Sequence, residues 1–103
     1  MIVIKFTSGV RCPKSAIIIA AVSNAWAELN LPGDCFVTSM NDAVHMRGSK
    51  HYTDDAADFR TRTLTADQVH MWAKVAKRRL GADYDVVIEK DHLHIEHDPK
   101  QVT

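Results

Sequence analysis

Two short stretches gather the residues of this chain that could hold a metal or move a proton. Residues 92–96 read HLHIE, and residues 49–58 read SKHYTDDAAD. On a β-strand, alternate side chains share a face. Leu93 and Ile95 then point into a core, and His92, His94 and Glu96 point the other way. Two imidazoles and a carboxylate on one strand face call for water or a metal to satisfy them. His51 falls in a loop-like segment and Asp58 opens the next strand pattern. Their separation is too long for one helical turn, and it suits a loop that returns beside a strand. Two imidazoles and one carboxylate leave the fourth position of a tetrahedral zinc open to water, as in a catalytic site rather than a closed structural one. Such a water needs a general base within hydrogen-bond reach. Glu89 and Asp91, just ahead of the histidines, are the candidates. Six histidines in 103 residues suit metal or proton chemistry. Cys12 and Cys35 lie away from both stretches, so a thiolate site is not expected.

The elements that must position these residues follow from pattern and punctuation. Met1–Phe6 (MIVIKF) reads as a strand. Ser15 is placed to cap a helix running to about Leu29; it is apolar on most faces and is expected to be largely buried. Asn30 and Pro32-Gly33 stop it. CFVTS (35–39) is a short strand. The stretch 41–55 has no clean period and reads as a long loop, a place where function commonly sits. AADFRT (56–61) is the next strand. Thr65-Ala-Asp-Gln68 has the capping-box pattern, and Val69, Trp72, Val75, Ala76 and Leu80 follow at helical spacing up to Gly81. Residues 84–89 and 92–96 form two strands, joined by Lys90-Asp91 in a tight hairpin. The tail HDPKQVT is expected to be loose. The order β-α-β-loop-β-α-β-β, with both helices on one face of a small antiparallel or mixed sheet, is α+β.

The length supports a single domain, 1–103, and 46% hydrophobic residues suffice for one small core. Thirteen basic and thirteen acidic residues cancel, which argues against nucleic acid held by counterion release and against a polybasic membrane patch. No apolar run reaches the ~20 residues needed to span a bilayer, and no signal peptide is visible. Synthesis in the cytoplasm as a monomer is therefore expected. The two cysteines read as free thiols, with a Cys12–Cys35 disulfide as the other pairing to weigh. Trp26 and Trp72 read as core. His45, His70 and His97 read as surface residues. Lys74, Lys77, Arg78 and Arg79 read as a solvated helix face or a patch attracted to anionic cell wall.

SKHYTDDAAD resembles the SxHxxGxAxD motif of the zinc D-alanyl-D-alanine carboxypeptidase and endolysin-peptidase superfamily, whose fold is shared with the hedgehog signalling domain. Ser49, His51, Ala56 and Asp58 match it, and the family glycine falls at Asp54. DHLHIE is similar to the second motif, an acid three residues before the last zinc histidine. Asp91, His94 and Glu96 match it, with His92 as the first histidine of HxH. The matched region runs from about Val37 to Pro99. The resemblance implies a hedgehog/DD-peptidase-like fold and one zinc per chain, held by His51, Asp58 and His94. It implies Asp91 as the catalytic acid/base and His92 as an accessory group that orients water or stabilises the oxyanion. Glu89 stands in the same relation to His92 as Asp91 does to His94, and it is the second candidate for the base. The implied substrate is a peptidoglycan stem peptide, cut at D-Ala-D-Ala or another bond with a D-residue. Ser49, Arg47 and Arg60 are candidate substrate-binding residues: Arg47 precedes Ser49, Arg60 shares strand parity with Asp58, and a substrate carboxylate needs a cationic anchor. A phage-encoded protein released to the cell wall fits these features. The alternative is a non-catalytic zinc-binding structural or binding module, for instance of a phage particle.

Overall fold

A computed structural model describes residues 4–6, 16–39 and 56–98. The elements are β1 (Ile4–Phe6), α1 (Ala16–Glu28), β2 (Cys35–Ser39), β3 (Ala56–Arg60), α2 (Ala66–Leu80), β4 (Tyr84–Ile88) and β5 (His92–His97). They form a small α+β domain with two helices and one mixed five-stranded sheet, ordered β1-β2-β3-β5-β4. β1 and β2 are parallel, as a crossover through a helix allows, and the other neighbours are antiparallel. The last strand in the chain, β5, fills the slot between β3 and β4. That insertion sets Asp58 of β3 opposite His94 of β5.

Strand parity divides the sheet into two faces. Cys35, Val37, Ala57, Phe59, Leu93 and Ile95 point to one side and are buried against Ile18, Val22, Ala25 and Trp26 of α1 and Trp72, Val75 and Ala76 of α2. Trp72 is the centre of this core. Its ring meets Trp26 edge-on at 4.9 Å and Phe59 at 6.1 Å, and its indole N–H donates to the Val22 carbonyl at 3.0 Å. The polar handle of a buried tryptophan is thus satisfied without water.

The helix ends behave as their residues demand. Thr65 and Gln68 form the reciprocal capping box of α2 at 3.1 and 2.8 Å, and Gly81, at φ 92°, closes the helix. Asn30, at φ 52°, ends α1: its N–H reaches the Ala27 carbonyl, and that of Leu31 reaches Trp26. These paired bonds satisfy carbonyls a helix end leaves open.

Several expectations change. α1 is not largely buried: it buries one stripe, and Ile17, 66% exposed, faces out. Apolar composition alone does not say which faces a single sheet and one partner helix can cover. β3 ends at Arg60 rather than Thr61, β4 ends at Ile88 rather than Glu89, and β5 continues to His97. His97 is half-buried, its ring tilted 44° to that of Tyr84 with centroids 4.8 Å apart, and Asp98 bonds the Asp83 carbonyl through its N–H, so the tail begins ordered. Arg78 and Arg79 are not simply solvated, since both clasp Glu28 of α1, at 2.7 and 2.6 Å. Lys77 donates to the Tyr84 carbonyl. Cys35 is a buried free thiol, and burial pushes its pKa up to about 12. The long-loop residues 41–55, together with Cys12 and Ser15, lie outside the described residues. No helix among the described residues is long and apolar enough to cross a membrane.

Candidate functional site

The sheet face away from the helices carries the polar residues of β3 and β5. In the β3–β5 ladder Asp58 lies opposite His94, Arg60 opposite His92, and Ala56 opposite Glu96. Leu93 and Ile95 are fully buried, so the alternation that hides them turns His92, His94 and Glu96 to the open face. Residues far apart in sequence become direct neighbours because β5 pairs with β3.

The centre of the site is His94. Its Nδ1 lies 2.8 Å from Asp58 Oδ1, and its Nε2 lies 2.9 Å from Glu96 Oε1. A neutral imidazole could donate to only one of these carboxylates, whereas an imidazolium donates to both. The Asp58 hydrogen bond, with Glu96 adding to it against the effect of burial, pushes the His94 pKa up to about 9. Without a metal, His94 is therefore charged at neutral pH.

His92 stands on the same face. Its Nδ1 is 2.7 Å from Asp91 Oδ1, and its Nε2 is 3.8 Å from Asp58 Oδ1. The His92 hydrogen bond holds the Asp91 carboxyl below its ordinary range, so exposed Asp91 is ionised. A groove of about 220 Å³ runs past these groups, lined by Thr38, Asp58, Arg60, Arg62, Asp91 and His92. Asp91 is part of it, and Glu89 is not. Glu89 instead lines a second cavity between the hairpin and the start of α2. Of the two base candidates, Asp91 is the one beside His92 and Asp58.

Arg60 lines the groove as its strand parity predicts, with its guanidinium 4.2 Å from the Phe36 ring centroid. Two groove residues were not anticipated. Thr38 stands at an irregularity where β2 shifts register against β3, and its hydroxyl donates to the Asp58 carbonyl at 3.4 Å. Bulges of this kind re-aim side chains next to functional sites, and nothing in CFVTS announces one. Arg62 follows β3 in the connection to α2, where parity no longer applies. Arg47, Ser49, His51 and Asp54 lie outside the described residues.

The donor set can be tested against zinc. Zinc bonds of about 2.1 Å at a tetrahedral angle place a nitrogen and an oxygen ligand about 3.4 Å apart. Asp58 Oδ1 and His94 Nδ1 stand closer, sharing a proton at 2.8 Å. Removing that proton and parting the pair by about half an ångström would make room for the ion. Glu96 would keep its hydrogen bond to the other ring nitrogen, the orientation that metal-bound histidines ordinarily have. Asp58 and His94 therefore fit the group. A separate carboxylate cluster, Asp85 of β4, Glu96 of β5 and Asp98 just beyond it, has oxygens within 4.8 Å of one another. Acidic groups gather in this way without any ion, and Glu96 is already engaged by His94. No protein-family model and no curated protein matches this chain.

Proposed function

We propose that this protein is a zinc-dependent peptidase acting on peptidoglycan stem peptides, at D-Ala-D-Ala or another bond that includes a D-residue. The observation that carries the proposal is the Asp58–His94 pair. Two of the three ligands implied by the motif resemblance are hydrogen-bonded neighbours on adjacent strands, beside Asp91 and His92. His51 is the third ligand in the proposal.

Each residue has a defined task. Asp58 and His94 would hold the ion, with the proton now between Asp58 Oδ1 and His94 Nδ1 released to solvent. Glu96 fixes the His94 ring through Nε2. When bound, zinc supplies a Lewis acid and lowers the pKa of a coordinated water. Asp91 takes a proton from the attacking water and returns it to the leaving amine. His92, held by Asp91 through Nδ1, would as an imidazolium donate from Nε2 toward the oxygen on which negative charge develops. Arg60 supplies positive charge at the groove wall for a substrate carboxylate. A single-domain protein with no bilayer-spanning helix among its described residues, encoded by a phage and delivered to the wall by other means, is the setting we propose.

The deciding experiment measures zinc per chain by mass spectrometry for the wild type and for His94→Ala. About one zinc per chain, lost in the variant, is expected. Peptidoglycan digests with Asp91→Ala as control then report hydrolysis. No zinc after loading and removal of excess would overturn the proposal. Zinc without hydrolysis would make the chain a zinc-binding structural module.

A further inference from the structure

β4 is an outer strand of the sheet, and its free edge has no part in the mechanism above. Glu89 bonds His92 and Asp98 bonds Asp83, and between these bonds the register pairs Asp85 with Glu96 and Val87 with His94. In an antiparallel ladder the backbone groups of alternate residues face the neighbouring strand, and those between face away. Residues 83, 85, 87 and 89 are therefore engaged by β5, and the N–H and C=O groups of Tyr84, Val86 and Ile88 point outward. Tyr84 is closed within its own chain: its carbonyl accepts from Lys77, and its N–H reaches the Gly81 carbonyl at 3.4 Å. Among the described residues Val86 and Ile88 have no such partner.

Outer strands ordinarily carry a lysine, a proline or a bulge that hinders pairing with another chain. β4 has none of the three. It reads YDVVI, it keeps one register against β5 over its whole length, and Val87 and Ile88 are 42% and 40% exposed. β1, at the other edge, is three residues long and carries Lys5. The β4 row is also self-complementary. A second copy running antiparallel, with Val86 opposite Val86, sets Tyr84 against Ile88 and Asp85 against Val87. No like charges then face one another within the strand. The neighbouring registers that keep the outward groups paired set Asp85 against Asp85 or against Glu89.

The helix beside the edge favours the same arrangement. α2 runs antiparallel to β4, with Lys77 at Tyr84 and with Val69 and His70 beside Ile88. A two-fold axis through Val86, normal to the sheet, turns the last turn of one α2, with Lys77, toward the first turn of the other, with Asp67. Opposite charges and opposed helix dipoles then meet.

We propose that β4 is a dimerisation edge, where a second copy of this chain pairs Val86 to Val86 and joins two five-stranded sheets into one. Such an interface uses the same surface on both copies and closes at two. It takes the place of the monomer expected from the sequence, and it sets both His94 faces on the same side of the joined sheet.

The test uses the full chain in chelator, so that no shared ion can join two copies. Sedimentation from about 1 μM to 1 mM spans the affinities of a small interface. The wild type is expected to reach twice the mass of one chain. Val87→Glu sets a carboxylate opposite Asp85 at two symmetric places and is expected to weaken the dimer about tenfold. Val87→Lys meets the same aspartate with the opposite charge and is expected to dimerise at least as well as the wild type. Val87 is exposed, so neither variant disturbs the core. Amide exchange on the wild type is the second readout. The Val86 and Ile88 N–H groups are expected to gain protection as the dimer forms, while those of Asp85 and Val87, bonded to β5, are protected throughout. A wild type that stays monomeric at the highest concentration would overturn the inference and leave the edge to an extended segment of another protein. Loss of the dimer in both Val87 variants, or in neither, would overturn it too, as would Val86 and Ile88 amides that stay unprotected in the dimer.

Discussion

Consider the chelator-treated protein as the pH is raised from 6 to 10. His94 has an ordinary pKa of about 6.5 in the unfolded chain and one of about 9 when folded between Asp58 and Glu96. The folded pKa is raised, so the folded state holds the proton more tightly. The resulting stabilisation is fully present below pH 6.5, declines as the pH rises, and is lost above pH 9. The difference between the two values sets an upper limit of about 3 kcal/mol. The His94 side chain is 19% exposed, so solvent screening removes only part of that. Urea denaturation at pH 6, 7.5 and 9.5 measures it, with His94→Gln as the control that carries any drift from other groups. The wild type is expected to lose stability relative to the control by about 2–3 kcal/mol across this range. Equal pH slopes in the two proteins would refute the reasoning, and so would a His94 ring resonance that titrates near 6.5.

If zinc binds as proposed, the same proton must leave. Calorimetry at pH 7.5 in two buffers of different ionisation enthalpy is expected to show about one proton released per metal bound. Glu96→Gln, which alters the group orienting the His94 ring, should weaken zinc binding by about 10–100-fold in a chelator competition. Asp91→Asn should slow peptide hydrolysis by about 10²–10⁴-fold while zinc content stays at that of the wild type; Glu89→Gln should change neither, and a larger loss from Glu89→Gln would reverse the assignment of the base. Trp72→Ala should cost about 3–5 kcal/mol in denaturation experiments, since it opens a cavity at the centre of the core.

The elements were legible where local chemistry decides. The Thr65–Gln68 box and Gly81 bound α2 in the sequence as in the structure, and the alternation in HLHIE separated Leu93 and Ile95 from His92 and His94 before any sheet was drawn. Local pattern does not carry pairing. That β5 would insert between β3 and β4, setting Asp58 against His94, is a matter of tertiary order. For the same reason sequence does not separate Asp91 from Glu89 by position: both precede a histidine by three residues, and the path of the hairpin sets Asp91, not Glu89, in the groove. Thr38 escaped notice because an irregularity in β2 leaves no mark in composition, and Arg62 because it follows the strand rather than lying on it. The clasp of Arg78 and Arg79 on Glu28 joins residues fifty positions apart and has no local signal.

The division of β5 between its two faces has a consequence for how the chain tolerates change. Leu93 and Ile95 complete the core with the same five-residue segment that presents His92, His94 and Glu96. A slip of one residue against β3 would exchange the two sets, burying imidazoles among tryptophans and exposing leucine and isoleucine. Correct assembly of the acid–base face is thus proofread by hydrophobic packing during folding: a misregistered site cannot persist in a well-packed molecule. A one-residue insertion within β5 should be lethal to the fold, whereas one at Lys90-Asp91, outside the strands, lengthens the connection and leaves the frame of both faces intact.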